Sequence, residues 1–125
     1  MARIEKFEDI EAWKTARELT NFIYRCSESG GFSRDYGLRD QMTRSALSIP
    51  SNIAEGAERN SPLEFIRFLH IAKGSAAELR TQLYIATEIG IIDKSLKKEL
   101  KDELISISSM LQSLIKSIEK SKHKA

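Results

Sequence analysis

The chain has 125 residues, 41% hydrophobic and 30% charged, with a net charge of +2 at pH 7. That size suits a single domain, 1–125, and the composition excludes a disordered chain. No apolar run reaches the roughly 18 residues of a membrane span, the opening MARIEKFEDIEAWK lacks a signal peptide's apolar stretch, and a lone Cys26 excludes an internal disulfide, so a cytoplasmic protein with no membrane partner is expected.

Hydrophobic periodicity marks four helices. The first spans about residues 9–28, where Ile10, Trp13, Ala16, Leu19 and Ile23 recur every three or four positions and share one face. Asp9 is its expected N-cap, and Gly30-Gly31 its expected stop. The second spans about 36–57, striped by Leu38, Met42, Ser45, Ile49 and Ile53. Pro50 falls inside it, which predicts a kink near Ala46 to Pro50, with Ser48 and Ser51 satisfying the freed backbone groups.

The third helix, about 62–89, opens on Ser61-Pro62-Leu63-Glu64, a capping box with Pro at the first helical position. Phe65, Phe68, Ala72, Ala76, Leu79, Leu83 and Ala86 follow at helical spacing, and Gly90 ends it. The fourth, about 94–120, starts from an Asp93 cap and carries a heptad-like seam of Leu96, Leu100, Leu104, Ile107, Leu111, Leu114 and Ile118. Short connections make successive helices antiparallel neighbours. The expected fold is all-α, an antiparallel up-down-up-down four-helix bundle with long helices.

The third helix is unusually apolar around its girth. From Phe65 to Ala72 its apolar set covers an arc of about 220°, whereas one core needs little more than ~100°. The surplus predicts a second buried surface between subunits. Small residues line the middle helices, including Gly56 and Gly74. A glycine inside a helix costs roughly 1 kcal/mol against alanine, which close backbone approach would offset.

Catalytic and metal chemistry lack their parts. A di-iron bundle needs Glu-x-x-His pairs, and no Glu here is followed by His three residues later. Arg67 and His70 form a close Arg/His pair, one turn apart, but lack the four-to-six-residue spacing of helical ribonucleases. Lys73-Gly74-Ser75 sits mid-helix without the glycine-rich turn of a phosphate loop. Trp13 reads as a core or interface anchor. A non-enzymatic protein without cofactor or metal is expected.

The segment YGLRDQMTRSALSIPSNIAEG resembles the second-helix signature of the 23S rRNA intervening-sequence proteins, or S23 family. FEDIEAWKTARELTNFIY resembles that family's first helix, through Phe7, Ile10 and Trp13, and FIRFLHIAKGSAAELRTQL its third. Gly31-Phe32-Ser33 replaces a frequent Phe-Pro, and Thr43-Arg44 a frequent pair of arginines. The resemblance implies a small helical bundle assembling as a homopentamer. It also implies kinship with the accessory variability protein of diversity-generating retroelements, a basic pentameric barrel that works with RNA and a reverse transcriptase.

Charge is unevenly spread. Residues 94–125 hold eight Lys against four acids, a balance of +4, and the remainder balances at −2. The expected function is a homo-oligomeric RNA-binding protein, its pentameric state implied by the resemblance, in which a ring multiplies weak phosphate contacts. Candidate RNA contacts are Arg39, Arg44, Arg59, Arg67, Lys73, Arg80, Lys116, Lys120, Lys122 and Lys124. Trp13, Pro50, Asn52, Glu55, Gly56, Phe65, Phe68 and Gly74 are structural or interface candidates, with Asn52 bonding near Pro50 and Glu55 pairing with Arg59 or a second subunit. The alternative is a protein-interaction scaffold, or an accessory subunit of a reverse transcriptase-type partner.

Overall fold

A computed structural model describes residues 6–124 of the chain, with side chains as far as residue 121. The described residues are all-α and form a helical bundle: α1 (Glu11–Cys26), the short α2 (Gly30–Arg34), α3 (Tyr36–Glu58), α4 (Pro62–Glu88) and α5 (Lys94–Lys124). A single 3-10 turn, Phe7–Asp9, precedes α1. The 27 residues of α4 and 31 of α5 correspond to about 40 and 46 Å of helix. No described helix is long and apolar enough to cross a membrane.

Local chemistry sets the helix ends. Asp35 Oδ1 accepts the Leu38 N–H at 3.1 Å and caps α3, and Asp93 Oδ1 accepts the Leu96 N–H at 2.8 Å and caps α5. Ser61 Oγ accepts the Glu64 N–H at 3.3 Å. The reciprocal half of that capping box is not made: Glu64 turns to Arg59 and Arg67 instead, drawn by two guanidinium groups. Gly90, at φ +83°, closes α4 as the Ile91 N–H reaches the Ala86 carbonyl at 2.9 Å.

The α1 ends differ from expectation. Asp9 lies in the 3-10 turn, and Ile10 occupies the cap position with no side-chain hydrogen bond. The helix stops at Cys26, before the glycines. Gly30, at φ +66°, then redirects the chain into α2, which buries Phe32.

Four helices enclose the core. α3 packs on α1 and α4, and α5 on α4 and α1. Ser48 meets Ser75 and Ser45 meets Glu78, so residue numbers rise along α3 as they fall along α4. Lys73 reaches Gln112, and Tyr84 lies against Lys97 and Lys101, with the same opposed sense for α4 and α5. Ile23, Met42, Ile49, Ile53, Leu69, Leu79, Leu83, Leu104, Ile107, Leu111 and Ile115 are the largest fully buried side chains. On α5 the seam drifts: Ile115 is buried and Leu114 only half-buried. A straight helix repeats every 3.6 residues, so a strict heptad cannot stay on one face.

α3 runs through Pro50 without a break, as the in-phase stripe from Leu38 to Ile53 requires. Proline deprives the Ala46 carbonyl of its helical donor. Neither Ser48 nor Ser51 supplies the replacement. Thr20 Oγ of buried α1 does, at 3.0 Å from the Ala46 oxygen, sharing its proton with the Ala16 carbonyl at 2.7 Å. The arrangement predicts a coupled pair. Thr20→Val strands a buried carbonyl and should cost about 1–3 kcal/mol. In a Pro50→Ala background the restored N–H serves Ala46, and the same change should cost far less. Equal costs in the two backgrounds, measured by urea unfolding, would remove this link.

Candidate functional site

The family-like signature folds into a polar seam between α3 and α4. Ser48 and Ser75 hydroxyls lie 2.8 Å apart, and Asn52 Nδ2 donates to the Ser48 carbonyl at 2.8 Å and to Ser48 Oγ at 2.9 Å. Gly56 is buried where this seam is tightest. A Cβ there would stand 2.7 Å from Phe68 Cβ and 3.3 Å from the Phe65 carbonyl oxygen. These are backbone and near-backbone atoms that cannot swing aside. Gly74, on α4, would bring its Cβ within 4 Å of nothing. Gly56 and Gly74 therefore differ in kind: one is required inside the subunit, the other is not.

The broad apolar girth of α4 is largely absorbed within the chain. Phe68, Leu69 and Ala72 are buried, while Phe65 and Ile66 are half-buried against the core. Arg59 and Arg67 each lie 4.9 Å from the Phe68 ring centroid, one more cover for its apolar surface. Leu63 (61% exposed), Ile71 (40%), Ile85 (46%) and Ile89 (58%) remain in the open. Of the apolar set from Phe65 to Ala72, Ile71 alone stays exposed in the single subunit.

Trp13 is half-buried, edge-on to Phe7 at 5.2 Å, with the Arg17 guanidinium 5.1 Å from its ring. Glu55 pairs with Arg59 at 2.8 Å.

The candidate cations separate into two groups. Arg59 is held by Glu55 and by Glu64, Arg67 by Glu64 at 3.1 Å, and Arg39 by Asp40 and the Ser33 carbonyl. Lys73 donates to Gln112. Arg44, Arg80, Lys116 and Lys120 enter no ion pair among the described residues. They do not share one face: Arg80 lies toward the α4 C-terminus, and Lys116 and Lys120 follow Gln112 toward the opposite end of α4. Lys122 and Lys124 lie beyond the residues whose side chains are described.

Arg80 joins a cluster that periodicity did not single out. Lys97 Nζ lies 4.0 Å and Lys101 Nζ 5.3 Å from the centroid of the Tyr84 ring. Hydrogen bonding from Lys101, then the charges of Lys101, Lys97 and Arg80, hold the Tyr84 phenol below its usual pKa, against an opposing effect of burial. The available signal was the i,i+4 spacing of Lys97 and Lys101, one turn apart on α5. That they meet Tyr84 depends on how α4 and α5 pack.

Two grooves flank α5. One of about 510 Å³ runs between the start of α1 and α5, lined by Ile10, Ala12, Ser106, Ser109, Met110 and Leu114 among others. The other, about 230 Å³, is lined by Glu18, Leu19, Phe22, Arg25, Glu99 and Glu103 among others. Among the described residues no group of three or more His, Cys, Asp or Glu side chains is placed to hold a metal ion. Burial pushes the half-buried Cys26 thiol up, with Arg25 opposing and Glu99 assisting.

A family model described as 23S rRNA-intervening sequence protein matches residues 8–113. The chain belongs to that family. Its match covers α1 to α4 and most of α5, including the seam of Ser48, Asn52, Gly56 and Ser75. A crystal structure at 1.70 Å resolution of a protein with unknown function from the S23 ribosomal protein family of Bacteroides thetaiotaomicron is similar in fold. It has a TM-score of 0.77 and 24% sequence identity, covering 84% of this chain and 98% of that one. No curated protein matches this sequence.

Two outcomes test this geometry. Gly56→Ala should destabilise the fold by about 1–3 kcal/mol through overpacking, read as a lower thermal midpoint; an unchanged midpoint would contradict the close contact with Phe68. Cys26 should alkylate with a pH midpoint above that of the urea-unfolded chain, since burial disfavours the thiolate; an equal or lower midpoint would contradict the buried placement.

Proposed function

We propose that this protein is a non-enzymatic, homo-oligomeric RNA-binding member of its family. In this reading each subunit is an antiparallel up-down-up-down four-helix bundle, and five subunits form a ring. The observation that carries the assembly is Gly74. It occupies the middle of a 27-residue helix, exposed, with no neighbour that a Cβ would meet. A mid-helix glycine costs about 0.5–1 kcal/mol against alanine. Close approach of a second chain gives that cost a reason, and exposed Ile71 one turn away supplies apolar contact.

RNA is favoured as the partner by charge that the subunit leaves unneutralised. Arg44, Arg80, Lys116 and Lys120 are outside the ion pairs of the described residues, and repetition round a ring would multiply them. The family's description as 23S rRNA-intervening sequence protein supports an RNA setting. The engagement of Arg67 by Glu64 and the Phe68 ring supports reading the Arg67–His70 pair as non-catalytic.

A second reading, a scaffold for another protein such as a reverse transcriptase-type partner, is favoured by the exposed Leu63, Ile85 and Ile89.

Native mass measurement with nucleic acid left in place should give five copies of the 14.2 kDa chain with RNA attached, and the RNA should dissociate as salt rises from 50 to 200 mM. A lone 14.2 kDa species at high concentration would end the ring. A ring without RNA affinity at 50 mM salt would end the RNA reading and leave the scaffold. Gly74→Ala should strengthen the isolated helix yet weaken assembly; stabilisation with unaltered assembly would show that no second chain meets this face.

A further inference from the structure

Tyr84 stands on α4 with 37% of its surface exposed. Around it are three cations from two helices: Arg80 one turn earlier on α4, and Lys97 and Lys101 from α5. All three are partly buried. None takes part in an ion pair among the described residues, and the nearby Asp102 is already held by Lys98 at 2.8 Å. Glu88, one turn beyond Tyr84, is exposed and likewise in none of those pairs.

Such a cluster is unfavourable in an isolated subunit. Like charges repel, and partial burial weakens the solvent screening that would relieve them. Lys94 and Lys97 also stand in the opening turn of α5, which carries no acid and where the helix dipole disfavours cations. The Tyr84 ring offsets part of this through cation–π attraction. An anion bound among the three would relieve the rest.

We propose that Tyr84, Arg80, Lys97 and Lys101 form a seat for one nucleotide of single-stranded RNA, with its base on the tyrosine ring and its phosphate among the three cations. This rests on the RNA-binding reading and names its contact. An aromatic face accepts any base, and an adjoining basic surface follows the backbone, the combination by which single strands are held without sequence preference. Lys97 occupies the ring face in the free protein. A stacking base displaces that ammonium, which turns to the phosphate and exchanges a cation–π contact for a charge pair.

The test uses the full-length protein and a fluorescein-labelled octamer of uridylate, with anisotropy read between 50 and 200 mM salt. Tyr84→Ala should weaken binding about tenfold, as expected for loss of one stacked base, and Tyr84→Phe should stay within about twofold. The Lys97→Gln, Lys101→Gln double variant should lower the slope of log affinity against log salt by about 0.7, the value for one phosphate contact on a single strand. Thermal melts establish that each variant is folded, and the partly exposed positions favour this.

If the wild type binds while Tyr84→Ala is within twofold of it, or the salt slope of the lysine variant is unchanged, the seat is overturned and the RNA reading stands. Equal losses in Tyr84→Ala and Tyr84→Phe overturn the stacking. No wild-type binding at 50 mM salt overturns the RNA reading, and the seat with it.

Discussion

One missing hydrogen-bond donor organises the centre of this molecule. Pro50 lies fully inside α3 and inside the core, where water cannot replace the N–H that proline lacks. The Ala46 carbonyl must find a donor from another element, and Thr20 of α1 provides it. The bond ties α1 to α3 at one height and rotation, because the Ala46 carbonyl, lacking its helical N–H, draws its proton from a side chain of α1. Hydrophobic stripes alone would permit sliding by a turn. A polar atom that must be satisfied does not.

The opposite side of α3 is set by size. Gly56 allows the Phe65–Phe68 turn of α4 to come into direct contact, and the Ser48–Ser75 hydroxyl pair spans the seam about two turns away. Asn52 bonds back to Ser48 and holds its hydroxyl in place. Small residues in this stretch of the family signature thus have two physical tasks, close approach and polar satisfaction.

The electrostatics of the surface divides along the length of the bundle. At one end, Glu55 and Glu64 occupy Arg59 and Arg67, and those arginines cover the Phe68 ring. At the other, Arg80, Lys97 and Lys101 gather about Tyr84 and enter no ion pair among the described residues. A formal charge of +2 conceals this contrast. Net charge reports a sum, while binding depends on where unpaired charge remains after folding.

The sequence by itself determined the all-α class, the apolar stripes of the long helices, the caps at Ser61 and Asp93, and membership of the family through α3 and α4. Those features are local, arising from 3.6-residue periodicity and from side chains that bond within one turn. Tertiary structure alone decided the rest. It chose Thr20 as the donor for Ala46, moved the α5 seam from Leu114 to Ile115, and hid most of the α4 girth that the sequence seemed to leave over. It also separated Gly56, pressed against Phe68, from Gly74, open on the surface, and brought two lysines of α5 to a tyrosine of α4. Each depends on which helix faces which, and at what height, and that is settled by packing volumes and unsatisfied polar atoms that no single helix contains.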